Sequence, residues 1–219
     1  MSASTASRGR IDKREAILDA AFTVFSAQGY ERASVQEIAD VAGVAKPTVY
    51  KHLQDKEDLF LQAMAGTAEA VLAENLAALD RLRNPGDDLR AAMEEAAYGM
   101  LLVCCNDRSR ALRYLTFAEI SRFPDLIDLV PGRTSGRLSE AIADRFARLA
   151  VSGYLRPCDP VLAAEQFLGL LTVPAEERSR MGTRKVPAAE VRTISTAAVD
   201  TFLRAYATAT GETDGGRQR

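Results

Sequence analysis

Residues 34–60, SVQEIADVAGVAKPTVYKHLQDKEDLF, decide the reading of this chain. They spell two short helices joined at a glycine corner and the start of a third, longer helix. That arrangement is a helix-turn-helix, a device for laying its second helix in the major groove of DNA. Ser34 stands three residues before Glu37, the Ser-x-x-Glu box that opens a helix. Val35, Ile38, Ala39 and Ala42 then recur on one face at helical spacing. Gly43 follows the last of them, where a left-handed helix end favours a residue without Cβ. The second helix is expected over about 46–52, with Pro47 in its first turn, where a missing N–H costs nothing. Val49 and Leu53, four apart, face inward, and Lys46, Thr48, Tyr50, Lys51 and His52 are left facing outward.

The outward set suits a polyanion. No Asp or Glu occurs between Gly43 and Gln54, whereas an ordinary solvated helix mixes acids with its lysines. The bland rival is a solvated basic helix of a small helical protein. The expected DNA-binding set is therefore Ser34, Lys46, Pro47, Thr48, Tyr50, Lys51 and His52, with Lys56 at the next helix start on a phosphate.

Working outward, the first helix is expected over 13–28, with Ile17, Leu18, Ala21, Phe22 and Phe25 at helical spacing and Gly29 ending it. Residues 1–12, MSASTASRGRID, read as a disordered basic arm. Asp55 begins a fourth helix, expected to run to Arg83 before Asn84-Pro85-Gly86 stops it; it would be ~40 Å long. Further helices are expected over about 87–105, 109–122, 133–152, 159–172 and 188–208, with a loop or a short irregular helix over 172–186 and a disordered tail over 211–219. The chain is rich in Ala, Leu, Glu and Arg, and no alternating β-branched run calls for a strand, so the expected class is all-α. The domain reading is a helix-turn-helix domain over 13–54 and a second helical domain over 55–210.

The formal net charge is −2, so the chain does not coat nucleic acid indiscriminately. Its positive charge is local: Arg8, Arg10, Lys13 and Arg14 precede the first helix, and Lys46, Lys51 and Lys56 follow. The first residues lack an apolar signal segment, no run of about eighteen apolar residues offers a membrane span, and Cys104, Cys105 and Cys158 lack metal or redox spacing. A reduced cytoplasmic protein without membrane association is expected. Catalytic readings do poorly. His52 is the single histidine, so a histidine-based metal site or a Ser-His-Asp triad is excluded. Glu94-Glu95 and Glu176-Glu177 are adjacent pairs that diverge on a helix, and Gly132 to Gly136 lacks the lysine of a phosphate loop. No cofactor, no metal and no enzymatic activity are expected.

The residues Ile17 to Phe25, Gly29-Tyr30, Ser34-Val35, Ile38-Ala39, Ala42-Gly43-Val44, Thr48-Val49-Tyr50 and Lys56-Glu57-Asp58-Leu59-Phe60 resemble the tetracycline-repressor (TetR) family of bacterial transcription regulators. Phe117-Ala118-Glu119, Arg122-Phe123-Pro124-Asp125-Leu126, Gly153-Tyr154-Leu155 and Ala163 to Leu170 are similar to its AefR-like branch. Two departures are visible: Ala45 stands where the family often has a capping serine, and Ala33 where a threonine is common. The resemblance implies a helical effector-binding and dimerisation domain after the DNA-reading head. It makes a pocket for a small hydrophobic effector out of Met93, Ala97, Met100, Leu101, Tyr114, Phe117 and Phe123, which otherwise read as ordinary helical core. It also implies that the last two long helices pair with their copies, through Phe167, Leu170, Leu171, Ile194 and Phe202, although these too could simply cap the monomer. Arg113 and Glu119 are candidates for a polar contact to the effector.

The reading that follows is a ligand-responsive, homodimeric DNA-binding repressor on a pseudo-palindromic operator. Its rival is a helical ligand-binding or adaptor protein whose N-terminal helices contact another protein.

Overall fold

A computed structural model describes residues 3–180 and 182–208, with side chains from Lys13 onward. Among these residues the chain forms nine α-helices and no strand; Leu155 and Ala207 make one isolated antiparallel bridge. The chain divides into two compact units, the first comprising residues up to Ala73 together with Asn106–Arg137, the second Glu74–Cys105 and the residues from Leu138 on.

The first unit holds α1 (Ala3–Gln28), α2 (Val35–Val41), α3 (Lys46–His52), the larger part of α4 (Lys56–Leu79), α6 (Asp107–Glu119) and a π-helical stretch, Asp128–Gly136. α1 starts ten residues earlier than expected. The backbone of the segment read as a disordered arm is helical from Ala3. The side chains of Arg8 and Arg10 lie outside the described residues, as does the 211–219 tail. The core is a cluster of rings. Phe60 sits edge-on to Phe25 at 5.0 Å and to Tyr30 at 5.1 Å, and Phe123 closes the group at 4.9 Å from Tyr30. Each such pair contributes ~0.5–1.5 kcal/mol beyond its buried area.

Residues 106–137, read from the sequence as part of the second helical domain, group in the structure with the unit that contains the helix-turn-helix. Pro131-Gly132 does not stop the chain's winding: it passes through them in wide π turns and continues into the next helix.

The second unit holds the end of α4, a 3₁₀ turn (Asp80–Arg83), α5 (Leu89–Cys105), α7 (Arg137–Val151), α8 (Pro160–Ser179) and α9 (Ala188–Tyr206). α5 packs on both α8 and α9. Its core is again aromatic: Phe146 lies 5.5 Å from Phe167 and 4.7 Å from Phe202, and Tyr206 stacks on Phe202 at 4.6 Å. Gly99 lets α5 approach α4 closely, since a Cβ there would lie 2.9 Å from that of Ala78. α8 is capped by Asp159, which accepts from the Val161 and Leu162 N–H groups. It runs past Thr172, where a loop or a short irregular helix was expected, and through Pro174 to Ser179. The inward sequence Phe167, Leu171, Ala175, Ser179 explains this: the buried stripe repeats every four residues straight across the proline, and its burial outweighs the lost hydrogen bond. Arg180, in the left-handed conformation at φ 49°, ends the helix.

Candidate nucleic-acid interface

α2 begins as its sequence requires. The Ser34 hydroxyl accepts from the Glu37 N–H at 3.1 Å. The reciprocal half of the box is absent, because the Glu37 carboxylate accepts from the Gln28 amide instead. At the corner Gly43 takes φ 67°, and the Val44 N–H reaches back to the Ala39 carbonyl at 3.0 Å, the long bond of a left-handed helix end. α3 then starts at Ala45, which has cap geometry but no side chain to cap with.

Val49 is the buried residue of α3, and Leu53 follows it into the core. This pins the helix by one edge. Lys46, Pro47, Tyr50 and Lys51 are consequently exposed, while Thr48 and His52 are half-buried at the flanks of Val49. Ser34 is exposed at the neighbouring start of α2. Of the eight residues expected to meet DNA, Ser34, Lys46, Pro47, Tyr50 and Lys51 are exposed and Thr48, His52 and Lys56 are half-buried. Nearby acids are already engaged: Asp40 accepts from Gln36 at 2.8 Å, and Asp55 and Asp58 accept backbone N–H groups around the start of α4.

Lys56 departs from the expectation of a free phosphate contact. Its ammonium donates to the Glu31 carbonyl at 3.0 Å and lies 4.6 Å from the centre of the Tyr30 ring. Burial pulls it below the usual lysine range, opposed by Glu119. Arg122 covers the same ring at 4.5 Å and pairs with Glu31. The Tyr30 N–H donates to the Glu119 carboxylate at 3.3 Å. Burial raises the Tyr30 phenol, partly offset by Arg122. The turn after α1 is thereby gripped by the end of α6. Sequence reasoning had offered Glu119 to an effector and missed Arg122. The signal available was Arg122-Phe123, a cation beside a ring that enters the core.

The other predicted residues are placed as follows. Met93, Ala97, Met100 and Leu101 lie together on the buried face of α5, in the second unit. Tyr114 and Phe117 belong to the first unit and are 69% and 75% exposed. Their assignment to a pocket is corrected: α6 buries Ser109, Leu112, Leu115 and Thr116, and that phase turns both aromatics outward. Phe123 is corrected too, being part of the ring cluster with Tyr30 and Phe60. Phe167, Leu171, Ile194 and Phe202 are not surface residues available to a partner; they are the core of their own unit, and only Leu170 of the expected set is half-exposed. Among the described residues no cluster of His, Cys, Asp or Glu could hold a metal, and no helix is long and apolar enough to cross a membrane.

A short basic helix, set on a glycine corner and anchored by one valine over an aromatic core, defines a helix-turn-helix DNA-binding protein. A profile described as bacterial regulatory proteins of the tetR family matches residues 17–63, and one described as the AefR-like transcriptional repressor C-terminal domain matches residues 91–208. The chain belongs to the TetR family of transcriptional regulators, with an AefR-like C-terminal domain.

It is similar to the transcriptional activator FasR of Mycolicibacterium smegmatis, 36% identical over 85 residues, 39% of each chain. It is similar also to the regulator AcrR of Shigella flexneri, 33% identical over 106 residues, 48% of each chain. These matches span less than half the length of either relative. A crystal structure of a TetR-family regulator from Mesorhizobium loti superposes with a TM-score of 0.83 at 30% identity, covering 91% of this chain and 98% of that one.

Proposed function

We propose that this protein is a cytoplasmic, ligand-responsive repressor that binds a pseudo-palindromic operator as a homodimer, without enzymatic activity. The observation that carries the reading is the outward face of α3, where Lys46, Pro47, Tyr50 and Lys51 stand exposed with no acid between Gly43 and Gln54. Tyr50 and Thr48 are the proposed base readers. Lys46 and Lys51 are the proposed phosphate contacts, with Ser34 and His52 at the edges of the footprint. Lys56 acts as a positioning residue, holding the turn after α1. The dimer is proposed to form through the outer faces of α8 and α9. There Leu162 and Val173 are 48% and 55% exposed, Leu170 is half-exposed, and Thr193, Ala197 and Thr201 are small enough to let a second helix approach. A hydrophobic effector is proposed to act through the buried face of α5 around Met93, Ala97, Met100 and Leu101. It releases DNA to the extent that it binds the DNA-free form more tightly.

Fluorescence anisotropy on the DNA flanking the gene, over a salt series, tests the central claim. The wild-type chain is expected to bind with an affinity that falls as salt rises, and the triple variant Lys46→Ala, Tyr50→Ala, Lys51→Ala to lose both affinity and salt slope. Unchanged affinity in the triple variant overturns the reading.

A further inference from the structure

In the second unit, the turn Asp80–Arg83 with the loop after it, and the C-terminal half of α7, enclose a cleft of about 450 Å³. Arg83, Arg145 and Arg148 line it, and none of its lining residues is a carboxylate. Leu82 and Leu149 supply an apolar wall. Tyr154, also in the lining, is fixed by donating its hydroxyl to the Gly86 carbonyl at 2.9 Å.

Two acids stand behind these three cations. Asp80 is shared, accepting from Arg83 at 2.9 Å and from Arg145 at 3.4 Å. Asp144 takes two N–H groups of Arg148, at 3.0 and 3.2 Å, and that pairing holds its carboxyl below the usual carboxylate range. Arg145 is the most enclosed of the three, its side chain 14% exposed. Its Nε–H is buried with no hydrogen-bond partner among the described residues. A guanidinium always carries its charge and presents five N–H donors in a planar fork. A carboxylate or phosphate oxygen is the acceptor that fits such a fork best.

We infer that this cleft is a binding site for a small organic anion. Its oxyanion group is held by Arg145 with Arg148 and Arg83, and its apolar part lies against Leu82 and Leu149. None of the residues lining the cleft belongs to α5.

Isothermal titration calorimetry of the full chain at fixed ionic strength, with hexanoate and hexyl phosphate as probes in a chloride buffer, tests the inference. At least one probe is expected to bind at one site per chain. Binding to hexanoate alone identifies a carboxylate ligand, binding to hexyl phosphate alone a phosphate ligand, and binding to both a general oxyanion site. Arg145→Gln should weaken binding by roughly tenfold or more, the effect of losing a charged hydrogen bond. Arg148→Gln should weaken it severalfold, and Arg81→Gln, on the same turn but outside the lining, should leave it unchanged. If Arg145→Gln fails to fold by circular dichroism, Arg148→Gln decides, since its side chain is 70% exposed and carries no core packing. Absence of heat from both probes at millimolar concentration overturns the site. So does affinity that survives Arg148→Gln together with a folded Arg145→Gln.

Discussion

Ala45→Ser should stiffen the start of the reading helix. Ala45 already has the backbone of a cap residue, at φ −73° and ψ 142°, close in ψ to Ser34 at φ −114° and ψ 144°. At Ser34 that geometry carries the hydroxyl to the N–H three residues on, at 3.1 Å. A serine at 45 would aim at the Thr48 N–H in the same way. Replacing alanine by a capping residue typically contributes ~0.5–2 kcal/mol. Here the figure belongs at the lower end for two reasons. Pro47 removes one of the donors that a cap could serve, and the Thr48 N–H already bonds to the Ala45 carbonyl at 2.7 Å. The expected gain is therefore about 0.5 kcal/mol, which is roughly a twofold reduction in opening of the first turn. Hydrogen exchange of the amides from Lys46 to Val49 measures it directly, and the apparent melting temperature should rise by ~1–2 °C if the first unit melts with the rest. If the opened first turn cannot bind DNA, operator affinity should improve, by at most about twofold, the limit reached where the turn is mostly open in the parent chain. Ala45→Val, which places bulk but no acceptor at the same position, separates capping from mere substitution. Equal protection in the serine and valine variants would refute the reasoning.

Two further perturbations follow from the packing. Gly99→Ala should destabilise the chain by ~1–3 kcal/mol despite alanine's better helix propensity, because the new Cβ meets that of Ala78 at 2.9 Å; Gly66→Ala, in α4 with nothing within 4 Å of the added atom, should instead stabilise by ~0.5–1 kcal/mol, and urea unfolding of the pair checks the opposite signs. Leu162→Glu should yield a folded monomer by sedimentation, whereas Phe167→Glu should not fold, since it puts an unpaired charge among Phe146 and Phe202; a folded Phe167→Glu, or a dimeric Leu162→Glu, contradicts the assignment of those two faces.

The helix-turn-helix was legible because everything that builds it is local. The Ser34 cap, the Gly43 corner, Pro47 in the first turn of α3 and the spacing of Val49 and Leu53 each act within a few residues, and each appears in the structure where the sequence placed it. Even the missing cap at Ala45 could be read in advance. The second half was legible as helices but not as faces. A stripe such as Phe167, Leu171, Ile194 and Phe202 announces burial, and burial against the protomer's own α5 and α7 looks the same in a sequence as burial against a second copy. The unit settled the matter with a ring cluster that needs Phe146, a residue sequence reasoning had not joined to them.

α6 shows why the effector residues went astray. It carries apolar side chains on two faces, Leu112 and Leu115 on one and Tyr114 and Phe117 on the other. Periodicity alone permits either face to turn inward, and residue size favours the aromatics. What selects the phase is non-local: Arg108 reaches Asp19 of α1 at 3.9 Å, Glu119 accepts the Tyr30 N–H, and Phe123 enters the rings of Tyr30 and Phe60. These contacts span up to about ninety residues of chain and fix the helix at both ends. With the ends held, Leu112, Leu115 and Thr116 face the core and the larger rings face out. The same contacts join residues 106–137 to the unit that holds α2 and α3. The end of α6 is thus joined to the turn after α1 through Glu119 and Arg122, which hold Tyr30 and its neighbour Glu31.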